Sequence, residues 1–472
     1  MANPPNTTFT FINVSHPSEL KRQEMVDHIR CSAMTNFGKM RRKRRAKAQK
    51  NEIVFELQAS EEVAAVVPMS RIGIDAADPF EAGHLKWDAE ATRLMGNIFG
   101  ANNGQSPALL HAWQSVAFYD EFSFQTAKAI ASLNGEKLRR GTLLVEDTPE
   151  SLALHNKALQ MLSKRLDDPQ QHTSDSVIGA MSGLLTYDWT IGNFEGWNWH
   201  MSGLLKMINL RGGIRTLSRE QMHITLAWTD ICGAYAQDIA PHFPMPKTWQ
   251  QAIEIDIDDE NDVVPASSSD SIIRTWKEEL PEYDAWISIF KLIVRLVPDH
   301  SIPANCWMEP IIHRLLSLRP MRHGIETRGA IIEEACRIGT LLFLSRSWRE
   351  FGVLSIRTTL LRRNLLAMLR RYFAEWGRLR PLLLWVLVQA AQEAESQAER
   401  YQFNIRISMV MSKLNIADWD GLVEVLKGVV WSGEIADAAW EPGQRDLTSL
   451  IATQPQVEFE NCIDFNLPKQ DM

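Results

Sequence analysis

A dense run of cationic side chains near the N-terminus is the part of the sequence with the clearest chemistry. Residues 39–50 (KMRRKRRAKAQK) carry eight Lys or Arg side chains and no acidic one, although the 472-residue chain has a formal net charge of -8. Such a run can bind either nucleic-acid phosphates or an import receptor. The candidate residues for DNA binding or nuclear import are Lys39, Arg41, Arg42, Lys43, Arg44, Arg45, Lys47 and Lys50.

The charge is divided unevenly along the chain. The first fifty residues hold 11 Lys/Arg against 3 Asp/Glu, a local charge of +8, which leaves -16 on the remainder. A basic arm joined to an acidic body favours a polyanion or an import receptor as the partner of the arm. The alternative interpretation is a solvated, disordered linker, because basic runs are a permissive pattern.

A cluster of acids in the middle of the chain suggests a different chemistry. Asp258, Asp259 and Asp262 match a DDxxD pattern, which holds magnesium diphosphate in terpene cyclases. Metal binding of that kind requires the first and last Asp on one face of a rigid helix. Here Pro265 and a run of serines follow, which form helix poorly. We therefore interpret residues 254–271 as an exposed acidic loop, and a terpene-cyclase-like α enzyme remains the alternative.

The histidines and cysteines give no positive sign of catalysis. The sequence contains no HExxH, no GxSxG and no CxxC pattern. We expect no enzymatic activity, no metal, no cofactor and no disulfide. Cys232, Cys306 and Cys336 sit beside apolar neighbours and are expected to be buried free thiols. His200 is expected to be a packed or capping residue.

Four aromatic residues are close together in the sequence: Tyr187, Trp189, Trp197 and Trp199. They can line a ligand pocket, but aromatic residues at helical spacing usually belong to a core. We therefore predict a core role for them and assign no ligand.

The elements that must position these residues are predicted to be helices. Ile224, Ala227, Trp228, Ile231 and Tyr235 fall on one helical face, and no alternating strand pattern interrupts the body. The fold class that follows is all-α, a large helical bundle or array with a flexible basic N-terminal arm. Further helical runs include residues 106–133, 271–297 and 381–400.

The same patterns predict the domain organisation. A secretory signal is not recognisable, and the longest apolar run, residues 381–391, is too short to span a bilayer. We expect a soluble intracellular protein without a membrane partner. The predicted segments are an N-terminal arm (1–50) with its basic part (39–50), a linker (51–86), a helical body (87–452) interrupted by the acidic loop (254–271), and a loose tail (453–472).

Several segments taken together resemble the fungal-specific transcription factor domain family, in the branch that lacks an N-terminal binuclear zinc cluster. The central part of the resemblance is His200–Leu204 followed by Leu210–Ile214, an H-x-x-G-L…LRGG[IL] signature. The other pieces are Phe11–Val14, Pro17, His28–Arg30 and Met34 ahead of the basic run, Trp228–Asp230, Leu383–Leu387, and Val430-Trp431 with Trp440.

The resemblance implies a nuclear fungal regulator with an α-helical body. Its partners would be an import receptor, protein partners of the transcription machinery and DNA. The six cysteines of the zinc cluster are missing at the required spacing, which leaves base-specific recognition in doubt. A co-regulator that never touches DNA is therefore the alternative. We interpret the LRGG element as structural: Leu210 packs, and Gly212 and Gly213 allow a tight helix exit, so the motif is no reason to assign a function to Arg211.

Overall fold

The computed structural model describes residues 85–430 with gaps at 101–105, 142, 145, 255–268, 298–303, 322–325 and 351–355, and also residues 445, 447 and 448. All of these residues lie within one compact unit, Val67–Met472. The basic segment 39–50, the tail 453–472 and the acidic residues Asp258, Asp259 and Asp262 lie outside the described residues. Their assignments, and the division into segments, stay predictions.

The all-α class is confirmed, because the described residues form sixteen α-helices, two short 3-10 helices and no strand. The α-helices are α1 (Ala89–Phe99), α2 (Pro107–Ala117), α3 (Glu121–Arg140), α4 (Pro149–Leu166), α5 (Asp175–Ile191), α6 (Phe194–Leu210), α7 (Glu220–Gln237), α8 (Lys247–Glu254), α9 (Asp270–Glu279), α10 (Ala285–Leu296), α11 (Ala304–Ser317), α12 (Arg328–Glu350), α13 (Thr359–Tyr372), α14 (Arg380–Glu393), α15 (Gln397–Lys413) and α16 (Trp419–Lys427). The 3-10 helices are Ile214–Thr216 and Gly377–Leu379.

Side-chain caps fix where many of these helices begin. The Asp120 carboxylate accepts a hydrogen bond from the Ser123 N–H at 2.9 Å and caps α3. A capping box opens α4, where Thr148 and Ser151 each accept a hydrogen bond from the backbone N–H of the other. These contacts satisfy N–H groups that the first helical turn leaves without partners.

Three stretches that read as single helical runs are each divided into two helices. Residues 106–133 break ahead of Asp120, and residues 381–400 break ahead of Ser396, which caps α15. Residues 271–297 break at Leu280, because Pro281 has no N–H to continue the helix. The apolar period continues through each break, so the pattern alone does not reveal it.

Tryptophan side chains dominate the core. The main buried cluster runs from Leu109 to Leu447, so helices on both sides of residues 255–268 contribute to it. The Trp286 ring centroid lies 4.7 Å from that of Trp276, and the Trp286 indole donates to the Thr340 hydroxyl at 2.9 Å. The fully buried tryptophans are Trp197, Trp228, Trp276, Trp286, Trp348, Trp376 and Trp385.

A buried ion cluster joins α7, α12 and α13 with the segment after α11. Asp238 ends α7 with a left-handed φ of 49°. Its Oδ1 accepts from Arg319 and Arg337, each at 2.8 Å, and its Oδ2 accepts from Asn364 at 2.8 Å. Although burial opposes ionisation, Arg337 and Arg319 hold the pKa of Asp238 below its ordinary value. We call these residues, with Glu334 on Arg337, the Asp238 cluster.

A second polar network ties the C-terminal helices together. Arg349 of α12 donates to both oxygens of Glu393 at the end of α14, at 2.7 and 2.5 Å. Glu393 also accepts from the Thr358 hydroxyl at 3.0 Å, and Arg362 of α13 binds Glu399 of α15 at 2.8 Å. Both arginine pairs cross between helices, so they fix the relative positions of α12 to α15.

The exit from α6 uses two consecutive glycines with positive φ. Gly212 has φ 104° and Gly213 has φ 98°, and the Gly213 N–H donates to the Ile208 carbonyl at 2.8 Å. The interpretation of the two glycines as a tight helix exit is confirmed. The packing role assigned to Leu210 is wrong, because its side chain is 73% exposed. Leu210 follows the last buried position of α6, Ile208, and turns outward.

Substitution of Gly212 by Val is expected to destabilise the body by roughly 1 to 2 kcal/mol, because a β-branched residue is strained at positive φ. Thermal unfolding followed by circular dichroism measures the effect. Asn209→Val, one turn earlier and exposed on the same helix, is the matched control and should change stability only slightly. Equal melting temperatures for Gly212→Val and the wild type would contradict this account.

One carboxyl group is buried in the core without a cationic partner nearby. Glu309 lies on α11 and is almost completely buried. Burial raises the pKa of Glu309 to about 7. The neighbouring thiol of Cys232 also has a raised pKa, first because it is buried and second because of the charge on Glu309. The core therefore favours the neutral form of this carboxyl.

Stability should consequently fall as pH rises through the neutral range. The pKa of folded Glu309 lies above the ordinary value of 4.5, so its contribution is complete below about pH 4.5 and is lost as pH rises through about 7. Glu309→Gln should remove this dependence and should gain up to about 3 kcal/mol over the wild type at pH 8. Denaturant unfolding between pH 5 and 8 measures it, with the exposed Glu195→Gln as control. Parallel pH profiles for wild type and Glu309→Gln would refute the assignment.

Candidate functional site

A cavity of about 80 Å³ lies between five helices in the first half of the described chain. Its walls come from the end of α1, the second half of α2, the first part of α3, the middle of α5 and one face of α7. Five of the residues that line the cavity are partly exposed to solvent: Trp113, Ala117, Ile130, Gly183 and Thr186. The walls are therefore not fully close-packed, which makes the cavity a candidate binding site.

Small residues on α5 bring this helix close to its neighbours. A Cβ atom added to Gly183 would lie 2.5 Å from the Oγ1 atom of Thr126 on α3. One added to Gly179 would lie 3.0 Å from Val116 on α2. The backbone of α5 thus approaches α3 at Gly183 more closely than a side chain would allow without a shift, and it approaches α2 tightly at Gly179. The two glycines, one helical turn apart, define this wall of the cavity.

Hydroxyl groups give the cavity its polar character. The Thr186 hydroxyl donates to the Ser182 carbonyl at 2.9 Å and lies 3.3 Å from the Thr229 hydroxyl of α7. Thr190 and Thr126 likewise donate to carbonyls of their own helices, each at 2.7 Å. These hydroxyl groups donate their protons to carbonyls of their own helices, while their oxygen atoms can still accept hydrogen bonds from a ligand.

Three tryptophans form the aromatic wall. The Trp228 ring lies edge-on to Trp113, with centroids 4.3 Å apart, and edge-on to Trp189 at 5.7 Å. The indole N–H groups of Trp189 and Trp228 have no hydrogen-bond partner among protein groups, and neither does the Thr225 hydroxyl. Buried polar groups without partners are costly, so a ligand that accepts hydrogen bonds is favoured here.

The chemistry of the lining residues favours binding over catalysis. The cavity lining contains no Asp, Glu, His, Lys, Arg or Cys side chain. A general base, a charged transition-state stabiliser and an activated nucleophile are therefore not provided by this lining. What the arrangement offers is an apolar, aromatic enclosure with hydroxyl groups, which is a recognition environment.

The four aromatic residues singled out in the sequence have separate roles. Trp189 lines the cavity, and Trp197 is buried against Gly233 of α7. Tyr187 stacks on His155 and donates its hydroxyl proton to Asp147. The core prediction is wrong for Trp199, whose side chain is 64% exposed.

The residues of the H-x-x-G-L and LRGG segments have structural roles. His200 makes a 2.7 Å hydrogen bond to the buried carboxylate of Asp188, which is consistent with the packed role predicted for it. Arg211 binds Asp175 and the Thr173 carbonyl, so it holds the end of α6 against the start of α5. These contacts account for both residues within the fold.

Asp230 of the Trp228–Asp230 segment anchors the loop after α7. Its completely buried carboxylate accepts from the backbone N–H groups of His242 and Phe243 and from the His242 ring. The hydrogen bond to Asp230 raises the pKa of His242. Asp230 therefore closes the chain reversal that carries the backbone from α7 to α8.

Cysteines and ion sites add no chemistry to the described residues. Cys232 and Cys336 are buried free thiols, as predicted. The side chain of Cys306 is not among those that the structure describes, so its burial stays a prediction. In the described ranges, no group of three or more His, Cys, Asp or Glu side chains is placed to hold a metal ion. No helix among these residues is long and apolar enough to cross a membrane.

Comparison with known families identifies the segment that contains this cavity. The family described as "Fungal specific transcription factor domain" matches residues 99–298. Residues 99–298 are therefore similar to this family. The resemblance seen in the sequence is thus confirmed for this stretch, while its N-terminal and C-terminal pieces fall outside the matched residues. No curated protein and no solved structure matches the chain.

The cavity lies in the segment that matches this family. All its lining residues except Ile98 fall within residues 99–298. Among the lining positions, the sequence patterns had indicated only Trp189 and the Trp228–Asp230 segment. The one local signal was the α5 pattern of Gly179, Ser182, Gly183 and Thr186, small or hydroxyl residues at helical spacing. The partners of this face come from four other helices, so spacing on α5 cannot reveal the cavity.

Gly183→Ala is expected to destabilise the domain by about 1 to 3 kcal/mol, because the new Cβ would overlap Thr126. Ala ordinarily stabilises a helix relative to Gly, so the sign of the change is diagnostic. Gly203→Ala on α6 is the matched control, since its Cβ would have only an ordinary 3.7 Å contact with Met181. Urea unfolding should show opposite or clearly unequal effects, and equal gains in both variants would argue against the close α3–α5 approach.

Proposed function

We propose that this protein is a nuclear transcriptional regulator whose helical body is its regulatory and protein-interaction domain. The observation that carries the proposal is the match of residues 99–298 to the fungal specific transcription factor domain family. The binding-type lining of its cavity supports a regulatory role over an enzymatic one. We propose accordingly that the protein is not an enzyme, and that its partners are proteins of the transcription machinery.

The basic arm is assigned to nuclear import. Its eight cationic side chains within residues 39–50 lie in a chain that is otherwise strongly acidic. An import receptor recognises such a run by charge and hydrogen bonding, and the length of the run does not require a folded scaffold. Import is therefore a function the arm can perform independently of the helical body.

Contact with DNA is the second role proposed for the arm. Lys and Arg side chains bind phosphates at any sequence, and this binding weakens steeply with salt. The sequence lacks the six spaced cysteines of a binuclear zinc cluster, so the proposed contact is weak and tolerant of sequence. The same lack favours the second candidate function, a co-regulator that does not touch DNA.

Replacement of the central arm residues should move the protein out of the nucleus. A fluorescent fusion of the full chain is expected to change from nuclear to cytoplasmic, because the receptor loses its cationic contacts. The variant replaces Arg41, Arg42, Lys43, Arg44 and Arg45 with Ala. The matched control changes the four arginines of this set to Lys and keeps the charge, so it should remain nuclear. Undiminished nuclear import of the Ala variant would refute the role of the arm.

The two regulatory candidates are separated by DNA retention at physiological salt. The full-length protein and the variant with the five Ala substitutions are compared on random-sequence DNA. Retention of the wild type alone supports direct contact through the arm. Absence of retention for both supports the co-regulator.

A further inference from the structure

The size of the cavity limits what it can hold. Its volume is about 80 Å³. An apolar cavity of about 150 Å³ accommodates benzene, which has six non-hydrogen atoms. By proportion, and with slight adjustment of the walls, the present cavity suits a molecule of about three to five non-hydrogen atoms.

The charge of the ligand is limited by the lining. No side chain that carries a charge at neutral pH contributes to the walls. An ion that entered would lose its hydration without gaining a counter-ion, and this loss is large in an apolar enclosure. The ligand is therefore uncharged.

The hydrogen-bonding groups indicate the type of polar atom. The Thr225 hydroxyl and the indole N–H groups of Trp189 and Trp228 are donors without a protein acceptor. All three atoms are covered by neighbours in this structure, and all three residues line the cavity. Binding would require the Thr225 hydroxyl to turn toward the cavity by a change of χ1 rotamer. A ligand oxygen that accepts a hydrogen bond would satisfy it.

We propose that the cavity is a binding site for a compact, uncharged molecule of about three to five non-hydrogen atoms with a hydrogen-bond-accepting oxygen, the class of short-chain ketones, aldehydes and alcohols. This site goes beyond the proposed nuclear function and does not depend on it. Ligands of this size have few contacts, so the expected dissociation constant is in the millimolar range.

Acetone and acetate form a matched pair of probes. Both are planar and have four non-hydrogen atoms, but only acetate is charged at pH 7. Saturation-transfer NMR on the full-length protein should detect acetone binding and should give no signal for acetate. A thermal-shift titration with the same two probes provides the dissociation constant for acetone.

Three variants test the location. Thr186→Leu and Ala127→Val each place more carbon atoms in the cavity and should abolish acetone binding. Thr225→Val removes the donor at nearly constant shape and should weaken binding roughly three- to tenfold. Thr275→Leu is the control, because Thr275 also bonds its own helix but is exposed on α9; it should bind acetone as the wild type does.

The outcomes decide whether acetone binds in this cavity. Acetone binding that is lost in either folded filling variant, as judged by its melting temperature, supports the proposal. Absence of acetone binding, equal binding of acetate, or wild-type binding by both filling variants would overturn it. The localisation of the protein has no bearing on any of these results.

Discussion

The fold depends on the electrostatic balance of the Asp238 cluster. Helix α7 is buried along most of its length and ends at Asp238, whose left-handed conformation reverses the chain. A carboxylate buried there is tolerated only because Arg319 and Arg337 face it. Arg337 is itself completely buried, and Glu334 supplies the second negative charge that balances the two arginines. Loss of any one charge would leave another buried without compensation, so the end of α7 and three later segments are fixed together.

In the first half of the body, some helix contacts are tightly packed and others leave a cavity. Glycines on α5 allow this helix to approach α2 and α3 closely, and the large indoles of Trp113 and Trp228 pack edge-on between α2 and α7. Small and large side chains on adjoining faces do not fill the space between them evenly. The cavity is the space that these side chains leave unfilled. Hydroxyl groups line it because the helices carry Thr and Ser at positions where a uniform core would carry Leu or Val.

The sequence predicts most of the architecture and little of the candidate site. The apolar stripe on α7 was read correctly, since Ile224, Ile231 and Tyr235 are all buried. The exposure of Trp199 was not predicted, although the spacing of the two tryptophans indicates it. Residues two apart on a helix point about 200° from each other, so Trp197 and Trp199 cannot both face one core. On α14 nearly every side chain is buried, so periodicity offers no choice of face. The cavity requires the relative placement of five helices, which local spacing does not encode. The roles of the basic arm stay predictions.

The limits of the family match do not coincide with the limits of cooperative folding. The match ends at residue 298, yet Tyr235 within it donates its buried hydroxyl proton to the Leu341 carbonyl, and the Trp286 indole donates to Thr340. A gene fragment cut at the family boundary would leave these donors without acceptors and would expose the tryptophan core. Residues 99–298 are therefore an incomplete folding module. Recombination, exon shuffling or a laboratory fusion that moved them alone would leave out part of their core. The folding of the matched segment is thus tied to the residues that follow it.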